Sequence, residues 1–185
     1  MFRKLLFVFF ISFVTNIYGQ FSSTPGTPFI KNFTEEEVGS NLTVFDISQN
    51  KNGEIFFATP NGLLEFDGVR WKNYTYKLES DLRSVFYKDD AHLNTSGHGG
   101  FGYWSKNNKG TFDYTSLYFK KPEKNDALLP VFFKIKEIQG KILFQTFQQI
   151  YIYDPATEVI EIVNALSGFN ELFSSKGRSF IQDKK

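Results

Sequence analysis

From Val44 onward, short runs rich in Phe, Ile, Val and Tyr are separated by turn sequences at nearly regular intervals. The first group reads Val44 to Ser48, the turn Asn50-Lys51-Asn52-Gly53, Glu54 to Thr59, the turn Pro60-Asn61-Gly62, Leu63 to Phe66, the turn Asp67-Gly68, and Arg70 to Tyr74. Asn-Gly and Asp-Gly between apolar runs are hairpin signals, so this group predicts a four-stranded meander. A second group predicts strands at Leu82 to Tyr87, His92 to Ser96, Phe101 to Trp104 and Thr111 to Thr115, with turns at Lys88 to Asp90, Gly97 to Gly100 and Asn107 to Gly110. The third runs Val131 to Lys136, Lys141 to Thr146, Ile150 to Tyr153 and Glu158 to Val163, with turns at Gln139-Gly140, Phe147-Gln148 and Asp154-Pro155. A fourth begins with Phe169 to Phe173 and Ser179 to Ile181 around Lys176-Gly177.

Gly62 and Gly100 are 38 residues apart and Gly100 and Gln149 are 49 apart, the excess falling in Lys120 to Pro130. Four-strand units at a period of about 40 to 50 residues are the signature of propeller blades. Ile55-Phe56-Phe57-Ala58 and Ile142-Leu143-Phe144 are continuous apolar runs. Strands buried on both faces read this way, whereas a one-sided sheet alternates. The expected fold is all-β, an incomplete β-propeller of about three four-stranded blades plus part of a fourth, preceded by a signal-peptide helix. A twisted β-sandwich of the same strands is the competing arrangement. The expected organisation is a signal peptide at 1–19, a lead-in segment at 20–42, blade 1 at 43–76, blade 2 at 82–116, a loop at 117–130, blade 3 at 131–164 and a partial blade 4 at 168–185.

The N-terminus changes the picture most. Arg3-Lys4 precedes the apolar run Leu5 to Val14, which is followed by Asn16 and then Gly19-Gln20. A basic start, a run of about ten apolar residues and a small residue describe a secretory signal peptide; a membrane span needs about 20. Cleavage is expected after Gly19 and the location is periplasmic. With 0 Cys there is no disulfide framework and no thiolate metal site. A net charge of +1 with interspersed signs provides no basic face for nucleic acid. An aromatic content of 18%, with 23 Phe and 9 Tyr, favours pleated surfaces.

Three stretches carry a resemblance: Gly26 to Thr34, the string Gly62-Leu63-Leu64-Glu65-Phe66-Asp67-Gly68 with Trp71 after it, and Gly100-Phe101-Gly102-Tyr103. Together they resemble the N-terminal propeller of bacterial two-component-regulator propeller proteins, exported sensors with a triple-tyrosine domain after the propeller. The resemblance covers about Gly26 to Asp183, and the third group matches more loosely. It implies a sensory parent architecture of about seven or more blades, a triple-tyrosine module, a membrane helix and an output domain, either a histidine kinase or a LuxR-type helix-turn-helix regulating transcription. This sequence contains the first three blades and part of a fourth, so a truncated fragment is expected, with membrane contact only through the missing C-terminal parts. Each blade buries its faces against neighbours. The expected partners are therefore the remaining blades, or another chain that closes the ring, and an unknown small-molecule or glycan ligand.

Little in the residues points to catalysis. There is no G-x-S-x-G, and His92 and His98 have only Asp89 and Asp90 close in sequence, too few donors for a metal. Gly97, Gly99, Gly100 and Gly102 lie between strands with no helix to follow, and predict a hairpin requiring positive φ, not a phosphate loop. Asp67-Gly68-Val69-Arg70-Trp71 departs from the aspartate box of sialidases, with Glu65 where a Ser or Thr belongs. Glu35-Glu36-Glu37 predicts a solvated lead-in. Asn32, Asn41, Asn73 and Asn94 head N-x-S/T patterns that are inert in a bacterial protein. Trp71, Tyr103 and Trp104 are the candidate ligand-binding residues, because an aromatic face complements the C–H face of a sugar; packing between blades is the competing role. No catalytic residue, metal or cofactor is expected. The functional expectation is a non-catalytic, extracytoplasmic ligand-sensing module; the alternatives are an exported structural or adhesive surface protein and a propeller lyase or glycosidase fragment.

Overall fold

The computed structural model describes residues 30–39, 43–75, 81–119, 129–175 and 178–184. The signal-peptide helix and its cleavage point lie outside these residues. Three four-stranded antiparallel meanders follow one another. The first is β1 (Asp46–Gln49), β2 (Ile55–Thr59), β3 (Gly62–Phe66) and β4 (Trp71–Thr75). The second is β5 (Leu82–Asp89), β6 (His92–Gly97), β7 (Gly100–Lys106) and β8 (Phe112–Phe119). The third is β9 (Lys134–Ile138), β10 (Lys141–Gln145), β11 (Gln149–Asp154) and β12 (Val159–Asn164), and β13 (Phe169–Ser175) with β14 (Arg178–Asp183) form a two-stranded sheet. The fold is thus nearly all-β, an open series of propeller-like blades, and no pair of sheets has sandwich connectivity.

Consecutive sheets meet through three apolar clusters. Phe56, Ala58 and Leu63 of the first sheet pack with Leu82, Val85, Leu93, Trp104 and Phe112 of the second. Phe101 of the second packs with Phe132, Ile135, Ile142, Phe144 and Tyr151 of the third, and Leu143 and Ile150 pack with Phe169 and Leu172. The continuous apolar runs follow from this stacking: Phe56 and Ala58 face one neighbour, while β3 is buried along Gly62 to Glu65. Burying a large apolar side chain contributes about 1.5 to 3 kcal/mol, so these seams dominate the stability. First strands lie side by side: Asp46 Oδ2 accepts from Ser84 Oγ at 2.5 Å and from Val85 N at 3.0 Å, and Ser48 Oγ accepts from Tyr87 N at 2.9 Å. The last strand of the third sheet, β12, is exposed along nearly its whole length.

Three local expectations are corrected, and a fourth gains detail. The run read as a strand from Val131 begins its ladder only at Lys134. Val131 instead bridges to His98, and Phe132 donates its N–H to Gly97 O and accepts from Ser96 Oγ at 3.1 Å, so this backbone is committed to the second sheet. The turn read at Lys88 to Asp90 sits at Asp90-Ala91, because β5 continues to Asp89, whose carboxylate accepts from Ala91 N at 3.0 Å. β8 continues to Phe119, into the stretch read as a connection. The acidic lead-in contains one helical turn, α1 (Glu35–Val38). Thr34 and Glu37 form a reciprocal capping box, Gly39 closes the turn at φ 69°, and Val38 is buried.

Candidate functional site

Antiparallel order fixes two ends. The hairpins β2–β3, β6–β7 and β10–β11, together with the last residues of β4 and β8 and the first of β5 and β9, lie at one end, here the upper end. The other hairpins lie at the lower end. There, Lys106 Nζ meets Glu54 at 3.4 Å and Lys88 Nζ donates to Gly140 O at 2.9 Å, which tie neighbouring sheets together.

Side-chain chemistry gathers at the upper end. His98 Nδ1 contacts the Asp81 carboxylate, which also pairs with Arg83 at 2.6 Å. The Arg83 guanidinium lies 4.1 Å from the Phe45 ring centre, a cation–π contact across the first two sheets. Two glycines allow this end to close. A Cβ on Gly97 would stand 2.0 Å from Asp81 O, and one on Gly102 would stand 2.2 Å from Thr115 O. Positive φ explains only Gly99, at 79°. Close backbone approach explains the other two, which corrects the single reason expected for the cluster.

Beside this group, at the junction of the second and third sheets, is a cavity of about 510 Å³ lined by Tyr118, Leu129, Pro130, Val131, the hairpin Thr146 to Gln149, and Tyr151. Small-molecule sites fall in the range of about 300 to 1,000 Å³. The Tyr118 and Tyr151 rings lie 5.0 Å apart, and the Tyr151 hydroxyl donates to Gln149 Oε1 at 2.8 Å. Gln149 Nε2 in turn donates to Asn164 Oδ1 at 2.9 Å. Burial, followed by the hydrogen bond with Tyr118, pushes the Tyr151 hydroxyl up to about 12. The Tyr151 phenol is therefore neutral at ordinary pH.

The residues singled out from sequence are dispersed. Trp104 is buried in the seam between the first two sheets, with Nε1 donating to Thr95 Oγ1 at 2.8 Å and its ring against Tyr74 and Tyr114. Trp71 belongs to an aromatic group with Phe33, Phe57 and Phe66, and its Nε1 is buried with no hydrogen-bond partner. Tyr103 stacks on Tyr153 at 6.5 Å. None of the three lines the cavity. His92 meets Asp89 at 2.9 Å, so each histidine has a carboxylate beside it, and for His98 that partner is 17 residues away in sequence. His98, read as a solvated turn, is held in a bridge to Val131. Among the described residues no group of three or more His, Cys, Asp or Glu is placed to hold a metal ion. Asp67 caps its own turn by accepting from Val69 N and Arg70 N, and these backbone bonds hold its carboxyl below the usual range.

Two buried polar residues gave no sequence signal. Glu65 is fully buried between β2 and β4, accepting from the Tyr74 hydroxyl at 2.6 Å, with Lys72 Nζ at 3.4 Å. Gln145 is also fully buried, and neither its Oε1 nor its Nε2 has a partner. In runs such as Leu64-Glu65-Phe66 and Phe144-Gln145-Thr146, a polar residue reads as the solvent side of an alternating strand.

No protein-family model matches the sequence, and no curated protein matches it. Among solved structures, the chain is similar to the extracellular domain of a B. thetaiotaomicron protein assigned as a hybrid two component system. The TM-score is 0.59 at 12% identity, over 75% of this chain and 19% of that one. The likeness is one of fold, and the chain spans about a fifth of that structure's length.

Proposed function

We propose that this chain is an exported, ligand-sensing propeller portion of a transmembrane signal-transduction regulator that works by binding and performs no covalent step. The observation that carries the reading is the likeness of its blade series to an extracellular domain of a protein assigned as a hybrid two component system. The basic and apolar N-terminus supports export, with cleavage after Gly19. Ligand recognition fits a cavity between two sheets, because a molecule seated there touches both and favours one relative placement over another. The further blades, a triple-tyrosine module and a kinase or helix-turn-helix output belong to the parent architecture that the sequence resembles.

Two measurements on the full chain test this. N-terminal sequencing of the exported form is expected to begin at Gln20, and a cytoplasmic, unprocessed chain overturns the export half. Incubation with a panel of neutral and acidic oligosaccharides is expected to raise the melting temperature for at least one member, recovered at unchanged mass. Turnover of any member would instead favour the lyase or glycosidase reading. An adhesive role draws its support from the exposed apolar residues Val159, Ile162, Val163 and Leu166 in and after β12. Polar replacement of these residues with no loss of surface attachment removes that support.

A further inference from the structure

The three upper hairpins allow a comparison within the molecule. Thr59 Oγ1 donates to Gly62 O at 2.9 Å and accepts from Asn61 N; Thr146 Oγ1 donates to Gln149 O at 3.1 Å and accepts from Gln148 N. The two hairpins are therefore equivalent residue by residue, Thr59-Pro60-Asn61-Gly62 against Thr146-Phe147-Gln148-Gln149. The first carries ordinary turn residues, with Gly62 at φ 120°. At the same three positions the second carries a phenyl ring and two amides. The shared threonine bonds close both hairpins without the side chains that follow; the second differs in that Thr146 Oγ1 also accepts from Gln149 N at 2.9 Å and in that Gln149 lacks the positive φ of Gly62.

These side chains line the cavity. Phe147 is 55% exposed, a large apolar ring left in water, with Phe133 beside it at 4.6 Å. Lys184 Nζ lies 5.3 Å from the same ring centre. Gln148 is exposed, and its side chain makes no hydrogen bond among those described. Opposite stand the Tyr118 and Tyr151 phenols and the apolar surface of Pro130 and Val131. No lining residue among those described carries a charge.

The geometry points to a binding site at the junction of the second and third sheets for an uncharged ring bearing several hydroxyl groups, the chemistry of a neutral sugar. The apolar face of the ring rests on Phe147, and its hydroxyls meet the Gln148 amide and the Tyr118 hydroxyl. A cationic ligand would find no counter-charge in the lining, and an anionic one would find only Lys184 Nζ beside the Phe147 ring, so an ionic ligand would lose more hydration there than the site returns. A purely apolar ligand would strand the amide and phenol groups. This inference rests on the sensing reading and gives it a place and a ligand class.

Calorimetric titration of the full chain with maltose, cellobiose and a uronic-acid disaccharide tests it. Saturable binding of a neutral disaccharide is expected, with the uronate much weaker. Phe147→Ala and Gln148→Ala, both at exposed hairpin positions, are each expected to weaken binding by about tenfold or more, the equivalent of about 1.4 kcal/mol. Their melting temperatures should stay within a degree or two of the parent. Binding left intact in both variants places recognition elsewhere, which overturns this site while the sensing reading stands. Absence of binding by both neutral sugars, or equal binding of the uronate, overturns the ligand class, and the acidic members of the oligosaccharide panel then carry the sensing reading alone.

Discussion

The seam between the first and second sheets and the seam between the second and third share one strand order and differ in what joins them. At the first seam, carboxylates reach across or lie buried beside it: Asp46 holds Ser84 and Val85, while Glu65 holds Tyr74, whose ring packs on Trp104 and Phe112. At the second seam rings and main chain predominate, with Lys88 reaching Glu137 at 3.8 Å and Gly140 O at 2.9 Å towards the lower end. Phe101 stacks on Phe144 at 4.1 Å and meets Phe132 and Tyr151 edge-on, while Ser96, Gly97 and Gly99 bond to the backbone of Pro130 and Phe132. Hydrogen-bonded carboxylates fix distance and direction. Stacked rings tolerate small sliding, and a cavity opens at this ring-lined seam. On the proposed reading, rigid placement and ligand access are divided between two junctions of the same design.

Breaking each seam in turn sharpens this contrast. Phe101→Ala removes the centre of the aromatic seam from a fully buried position, and is expected to cost about 3 to 5 kcal/mol in urea or thermal unfolding. Tyr74→Phe leaves the buried Glu65 carboxylate without its strongest donor, for an expected loss of about 1.5 to 3 kcal/mol. If the Tyr74 variant proves the more damaging of the two, the aromatic seam is not the main store of stability. Gly97→Ala pushes a methyl into the Asp81 carbonyl, with an expected cost of about 1 to 3 kcal/mol. Gly102→Ala at the Thr115 carbonyl should behave alike, and neutral behaviour at either position would show that the backbone yields freely.

The smallest effect at neutral pH is one of ionisation. Tyr151 is pushed by burial from 10.0 up to about 12, and Tyr87 moves likewise to about 12 through burial and its bond to Asp90. Burial and the Glu65 bond raise Tyr74 as well. In each case the folded chain holds the phenol proton more tightly than the unfolded chain does. Their contribution is complete below pH 10 and drains away as pH rises towards 12. Melting temperatures recorded across that window should fall, and Tyr151→Phe should flatten part of the fall. An unchanged slope would mean that the Tyr151 hydroxyl does not feel the folded environment.

Much of this architecture was legible because turn chemistry and hydrophobic runs are local. Asn52-Gly53, Asp67-Gly68 and Gln139-Gly140 mark hairpins without reference to any other part of the chain, and nearly every strand falls within a few residues of its expected place. What escaped notice depends on distant partners. Val131 to Phe133 looks like a strand and is diverted by bonds to Gly97 and His98. The partner of His98 comes from the start of β5, beyond any motif window. Gln139 and Glu158 adopt positive φ, at 52° and 58°, where a glycine would have been the sequence signal. Residue type alone does not separate Trp104, buried in a seam between sheets, from Phe147, exposed on the β10–β11 hairpin, because their burial depends on partners distant in sequence.

Gly97 and Gly102 carry a consequence for how such a sequence can drift over generations. Any replacement at either place drives a carbon atom into a carbonyl of the neighbouring strand, so nearly every single-codon change there is closed off. The β10–β11 hairpin is closed by the Thr146 hydroxyl and by main-chain bonds to Phe147 O and Gln148 O, so the exposed side chains of Phe147 and Gln148 are free to vary. Related genes should therefore keep the two glycines while varying those two positions, which on the proposed reading alters the ligand without disturbing the frame that presents it.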